Sequence, residues 1–206
     1  MNIINNNIPS REEAEKLLLW ANKNNPGPWY EHSLVVGKTA EKISKQCGLN
    51  SNIAYIMGLL HDIGRYEGVT DLHHAYAGFK LMEEKGYNII SRICLTHSFP
   101  CKTIETYSGK NDCTNEEINE IKIVLENIEY NDYDKLINLC DSICLPKGVV
   151  ILEVRIVDVV RRYRKMNQNI LKKWDKFFEI KEYFDKKCGA NIYTYFEKEI
   201  IENCIK

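Results

Sequence analysis

Residues 53–68 read IAYIMGLLHDIGRYEG, and the fold turns on them. Ala54, Met57, Gly58 and His61 recur at helical spacing, so an apolar helix ends on an imidazole with the carboxylate of Asp62 beside it. Gly64 is expected to let that helix stop. A buried, unpaired carboxylate is costly enough that it either neutralises or acquires a cation. A His-Asp pair at the end of an apolar helix therefore points to a metal ion or a tight ion pair.

Outward from this stretch, nearly every segment has helical period, and strands find little support. Upstream, Ser10 with Glu13 forms a capping box that opens a helix running to about Lys23, closed by Pro26-Gly27-Pro28. A second helix from about Trp29 to the Gly48 stop carries His32, Val35, Val36, Thr39, Ala40, Ile43 and Cys47 on one stripe. Ser51 is the expected cap of the helix that ends at His61, with 64–70 as a loop. Downstream, a helix from Asp71 to near Gly86 has His74, Ala77, Gly78 and Leu81 inward; this stripe favours His74 over its neighbour His73. A short helix with Ile90, Ile93, Cys94 and His97 halts before Pro100.

The polar segment 98–112, with Gly109, is expected to be a long loop, either a binding loop or lid or a plain surface excursion. Thr114 with Glu117 is a second capping box. Asn131 or Asp132 starts a helix through Leu136, Ile137, Cys140 and Asp141, terminated by 146–148. Residues 149–206 support two or three helices whose aromatic side chains are read as packing.

The 206 residues, 44% of them hydrophobic, suit one domain with a substantial core. The 28 basic and 29 acidic side chains nearly cancel, which gives no overall electrostatic reason to expect nucleic-acid or membrane binding. The run at 155–165, with Arg155, Arg161, Arg162, Arg164 and Lys165, is read as a solvated helix face. The start MNIINNNIPSREE lacks a basic leader followed by an apolar segment, and the most apolar stretch, 149–160, is interrupted by Glu153, Arg155 and Asp158. A soluble, cytoplasmic protein is expected. The eight cysteines are scattered with no C-x-x-C pair, so free and mostly buried thiols are expected, Cys140 being the one placed to lie near a site beside Asp141.

All five histidines lie between positions 32 and 97, and four of them (32, 61, 74 and 97) fall at inward positions of four consecutive helices. A fifth helix adds Asp141. Each such group must be paired when it is desolvated, and one shared metal site satisfies them together. Imidazoles mixed with carboxylates suit Zn, Fe, Mn, Co or Ni rather than an all-oxygen Mg or Ca cage.

The ordered set of His32 in YEHS, His61-Asp62 in LLHDIGR and Asp141 in LCDSI resembles the HD-domain superfamily of metal-dependent phosphohydrolases. The resemblance spans roughly 29–144. It implies an all-α, single-domain helical bundle with additional C-terminal helices: 1–28 as an N-terminal helix packing on the core, 29–145 as the metal-binding core, and 146–206 completing the same domain. It further implies that His32, His61, Asp62 and Asp141 hold a first divalent transition metal. His74 in HHAYAG and His97 in LTHSFP match the positions that hold a second metal bridged by Asp62 in binuclear members; with one ion they would instead contact substrate phosphate. The sequence His97-Ser98-Phe99-Pro100 departs from the glycine-tyrosine-proline subgroup.

The implied activity is hydrolysis of a phosphomonoester or phosphodiester, with a nucleotide as the expected substrate class, by metal-activated water. Asp62 is the catalytic carboxylate, and Arg65 and Lys147 are expected to bind the phosphate. The expected partner is a small phosphate ester rather than nucleic acid or membrane, with a homodimer left open. Two alternatives share the motif: a di-iron oxygenase of the same superfamily, and a non-catalytic module that senses a nucleotide.

Overall fold

Ser10 opens the first helix in the predicted way: its hydroxyl accepts from Glu13 N–H, and the Glu13 carboxylate accepts from Ser10 N–H at 2.8 Å. The computed structural model describes residues 8–164 and 166–204. The asparagine-rich start at 1–7, Lys165 of the basic run and the last two residues lie outside the described residues.

The chain forms α1 (Arg11–Asn24), α2 (Trp29–Gln46), α3 (Ser51–Leu60), a 3-10 turn (Ile63–Glu67), α4 (His73–Glu84) and α5 (Asn88–Thr96). It continues through a short 3-10 turn (Ile104–Thr106), α6 (Asn115–Asn127), α7 (Asp132–Ile143), α8 (Leu152–Tyr163), α9 (Gln168–Cys188), a further 3-10 turn (Ile192–Phe196) and α10 (Glu197–Cys204). This is the expected all-α bundle with additional C-terminal helices.

Small departures have local causes. Asn50, not Ser51, caps α3, because its Oδ1 accepts the Ile53 N–H at 3.1 Å. Asn131 caps α7 through a complete capping box with Asp134. Strands β1 (Cys144–Leu145) and β2 (Gly148–Val149) make a two-residue antiparallel ladder after α7. A ladder this short leaves no alternating pattern to find in sequence. Its turn is Pro146-Lys147, and Gly148 takes a φ of 132° that favours glycine.

The core packs α2 and α3 against α7. Val36, Ala40, Ile43, Leu59, Leu60, Leu136, Ile137 and Ile143 are all fully buried. Two glycines set the closeness of the α2–α3 crossing: a Cβ on Gly58 would stand 2.9 Å from Gly37 Cα. Phe177, Ile180 and Phe184 of α9 and Phe196 join the same core from the C-terminal side. A second apolar cluster, Leu72, Leu95, Phe99, Ile121 and Leu125, seats α6 and the 98–112 segment.

Between α5 and α7 the buried Asp134 accepts from Arg92 Nε and Thr96 Oγ1, both at 2.9 Å, and from the Asn131 N–H at 2.8 Å. That satisfied buried network fixes the end of α5 where His97 stands. No helix among the described residues is long and apolar enough to cross a membrane.

Candidate metal centre

Helix ends deliver the site. His32 lies in the first turn of α2 and His74 in the first turn of α4; His61 and His97 cap the C-termini of α3 and α5; Asp141 sits two residues before the end of α7. The C-terminal ends of α3, α5 and α7 carry a partial negative charge that favours a cation, while α2 and α4 bring His32 and His74 from their N-terminal turns, where the dipole has the opposite sign.

Asp62, which follows α3, divides its two oxygens. Oδ1 lies 3.1 Å from His74 Nε2 and 3.5 Å from His97 Nε2; Oδ2 lies 4.0 Å from His61 Nε2. Asp141 Oδ1 is 2.9 Å from His32 Nε2 and 3.7 Å from His61 Nε2. Two groups of ligand atoms close enough to share an ion result, His32-His61-Asp62 and Asp62-His74-His97, with Asp62 common to both. All five of these residues are buried.

Backbone carbonyls fix the ring orientations. His61 Nδ1–H donates to Gly58 O at 2.7 Å, His97 Nδ1–H donates to Ile93 O at 3.3 Å, and His74 Nδ1–H donates to Asp71 O. A carbonyl can only accept, so each Nδ1 carries the proton and each Nε2 turns a lone pair inward. His61 Nε2 is buried without a hydrogen-bond partner. His74 Nε2 and His97 Nε2 face each other at 3.3 Å, with the Ser98 hydroxyl 3.0 Å from the latter. Converging lone pairs and an orphaned ring nitrogen fit a divalent cation, and the mixed imidazole-carboxylate set suits a transition metal.

The protonation states of both acids and of two of the histidines agree with that use, whereas for His61 burial is outweighed by the charges of Asp62 and Asp141, which push the ring up. Burial opposes ionisation of Asp62, but the Arg65 guanidinium, whose Nε donates to Oδ2 at 2.6 Å, holds the carboxyl well below its usual range. Burial likewise opposes ionisation of Asp141, and the hydrogen bond from His32 outweighs it. Burial pushes His32 down, and burial together with the charge of Arg65 pushes His74 down, which favours the neutral, ligating ring.

Above this floor opens a cavity of about 460 Å³. Its cationic lining is Arg65, Arg155, Arg162 and Lys173, and its aromatic lining includes Trp29, Tyr107, Trp174 and Phe177. Arg65 is thus on the wall, engaged with Asp62 and, through Nη1, with Thr70 O at 3.2 Å. Lys147 is exposed on the Pro146-Lys147 turn and does not line the cavity, so the structure does not bring it to the site.

Arg155 and Arg162 correct the reading of their run as a wholly solvated face. Their i, i+7 spacing puts both on the side of α8 that meets the cavity, where Asp158 bonds Arg155 Nη1 at 2.8 Å and Arg162 Nε at 3.1 Å. That spacing was the available signal. Lys173, which donates to Ser98 O at 3.1 Å, had none, because only the packing of α9 places it. Trp174 and Phe177 likewise line the cavity rather than serving only as packing. Cys140 is fully buried and off the cavity, and burial pushes its thiol well above the usual range, so it has no place in the site. In 98–112, Ser98, Tyr107, Ser108 and Gly109 reach the cavity wall.

The HD domain family model matches residues 29–159. No curated protein and no solved structure matches the chain.

Proposed function

The chain belongs to the HD domain family, whose members are generally metal-dependent hydrolases, and on that premise we propose that it hydrolyses a phosphomonoester or phosphodiester of a nucleotide. The observation that carries this reading is Asp62: one carboxylate that offers a separate oxygen to each of two histidine sets, beneath a wall of cationic side chains.

In this reading His32, His61, Asp62 and Asp141 hold one ion, and Asp62, His74 and His97 hold a second. A divalent cation so held lowers the pKa of water from about 15.7 towards about 7 and offsets charge growing on phosphoryl oxygens. The rest falls to the protein's own groups. Arg65 keeps Asp62 ionised and fixes its rotamer, so that its two oxygens stay divided. Arg155, Arg162 and Lys173 attract and orient the anionic part of the substrate. Asp158 sits on both arginines and holds their guanidinium groups in register. Trp29, Trp174 and Phe177 offer flat apolar surfaces for a base, a contact worth about 1–3 kcal/mol per base in proteins that bind single-stranded nucleic acid. The oxygenase alternative would act on a polyol or phosphonate; the cationic wall suits a phosphonate as well as a nucleotide, but the aromatic surfaces suit a base and so favour hydrolysis of a nucleotide.

Metal removal tests the proposal. Protein stripped by chelation is expected to be inactive and to recover on addition of Mn²⁺, Co²⁺, Ni²⁺ or Fe²⁺, assayed as phosphate or nucleoside release from mononucleotides, dinucleoside polyphosphates and cyclic nucleotides. Hydrolysis that persists after complete metal removal would overturn it, as would oxygen uptake without hydrolysis.

A further inference from the structure

Beyond the centre lies a second, chemically different cluster of ligand-type side chains. His73, Cys113 and Glu117 each offer one ligand atom, all within 4.8 Å of one another, and all three residues are half-buried. They come from separate elements: His73 opens α4, Cys113 ends the long segment after α5, and Glu117 lies in the first turn of α6.

Each is held for the task. Glu67 Oε2 accepts from His73 Nε2–H at 2.8 Å, and His73 Nδ1 stands 3.5 Å from Glu117 Oε1, where a bound ion would take the place of any proton on Nδ1. A carboxylate behind an imidazole whose other nitrogen faces the cluster is the arrangement that orients metal-bound histidines. Glu117 is divided in the same way: Oε2 accepts the Thr114 N–H at 2.8 Å within the capping box, and Oε1 turns to His73. Asp112 clamps the neighbouring backbone by accepting from Asp71 N–H at 2.7 Å and His73 N–H at 2.8 Å, which holds Cys113 against α4.

We propose that His73, Cys113 and Glu117 form a separate three-ligand site for a thiophilic divalent cation of the Zn²⁺ class, its fourth position open to water. A nitrogen, a sulfur and an oxygen donor suit zinc, whereas hard Mg²⁺ and Ca²⁺ would not use a thiolate. Binding displaces the Cys113 thiol proton to solvent, and no electron moves. Burial and the nearby carboxylates of Glu117 and Asp112 push that thiol up to about 12, and a dication reverses this local charge. An ion there would pin the segment carrying Tyr107 and Gly109, both on the cavity wall, to the first turn of α4.

The site differs from the centre in containing sulfur, so one measurement separates the two. Metal-free full-length protein, kept reduced with a phosphine, is titrated with Co²⁺ and followed by near-ultraviolet thiolate-to-cobalt charge-transfer absorption, with bound cobalt counted by mass spectrometry. Wild type is expected to develop the band. Cys113→Ser is expected to lose the band and one equivalent of cobalt while the nitrogen- and oxygen-ligated ions of the centre remain. Glu117→Gln, which keeps the thiol, is expected to raise the cobalt concentration for half-maximal absorption about tenfold or more. Absence of the band in wild type at saturating Co²⁺, or a band that survives Cys113→Ser, overturns the proposal. Failure of the phosphohydrolase reading would leave the band untouched.

Discussion

At the residue scale the site depends on how single side chains divide their atoms. Asp62 gives Oδ1 to His74 and His97 and Oδ2 to His61 and Arg65. Asp62→Asn keeps the shape but removes the charge both sets share, so bound metal measured by mass spectrometry should fall in both and turnover should be lost. A fully active, fully loaded variant would refute the assignment. Arg162 contacts the cavity without touching any ligand of the centre, so its contribution should be to ground-state and transition-state binding alike. Arg162→Ala should therefore raise KM roughly tenfold with little change in kcat, the signature of lost uniform binding. Steady-state kinetics on whichever nucleotide is turned over decides this, and a fall in kcat at unchanged KM would count against it.

At the scale of elements, Gly64 shows how a correctly chosen residue can serve a different purpose from the one expected. Its backbone is not in the left-handed region, and α3 already ends at Leu60, with His61 as its cap. The glycine is required by closeness: a Cβ there would stand 2.0 Å from the His74 carbonyl and 2.3 Å from Gly78 N. The 3-10 turn after Asp62 therefore rests directly on the backbone of α4, and this contact sets the distance from Asp62 to His74. Gly64→Ala should force the two apart, costing about 1–3 kcal/mol and lowering Tm by about 2–12 °C. It should also weaken binding at the His74-His97 set more than at the His32-His61 set. Thermal melts with and without metal measure both effects, and a variant as stable as wild type would show that the turn can slide.

For the molecule as a whole, buried acids determine the alkaline limit. Burial raises the thiols of Cys94 and Cys140, and takes Cys144 to about 12 from an ordinary value of 9.0. Burial also raises the phenols of Tyr107 and Tyr130 above their ordinary value of 10.0. All five shifts have one sign. The unfolded chain gives up these protons first, so the stability they contribute is fully present below about pH 9 and is lost as pH rises from there towards 12. Tm should fall steadily across that window under reducing conditions, and a flat profile would contradict the burial of these groups.

Sequence alone determined the helical class, the capping boxes at Ser10 and Thr114, and the four inward histidines with Asp62 and Asp141. Helical period, cap chemistry and the cost of burying a polar group are local or compositional, and leave their mark in residue order. The placement of Asp141 and His32 at 2.9 Å, the division of Asp62, the cations on the cavity wall and the cluster around Cys113 were decided by tertiary structure. Each of these needs side chains far apart in the chain to meet. Which of them meet is set by backbone approaches such as Gly58 on Gly37 and Gly64 on α4, whose distances no local pattern encodes.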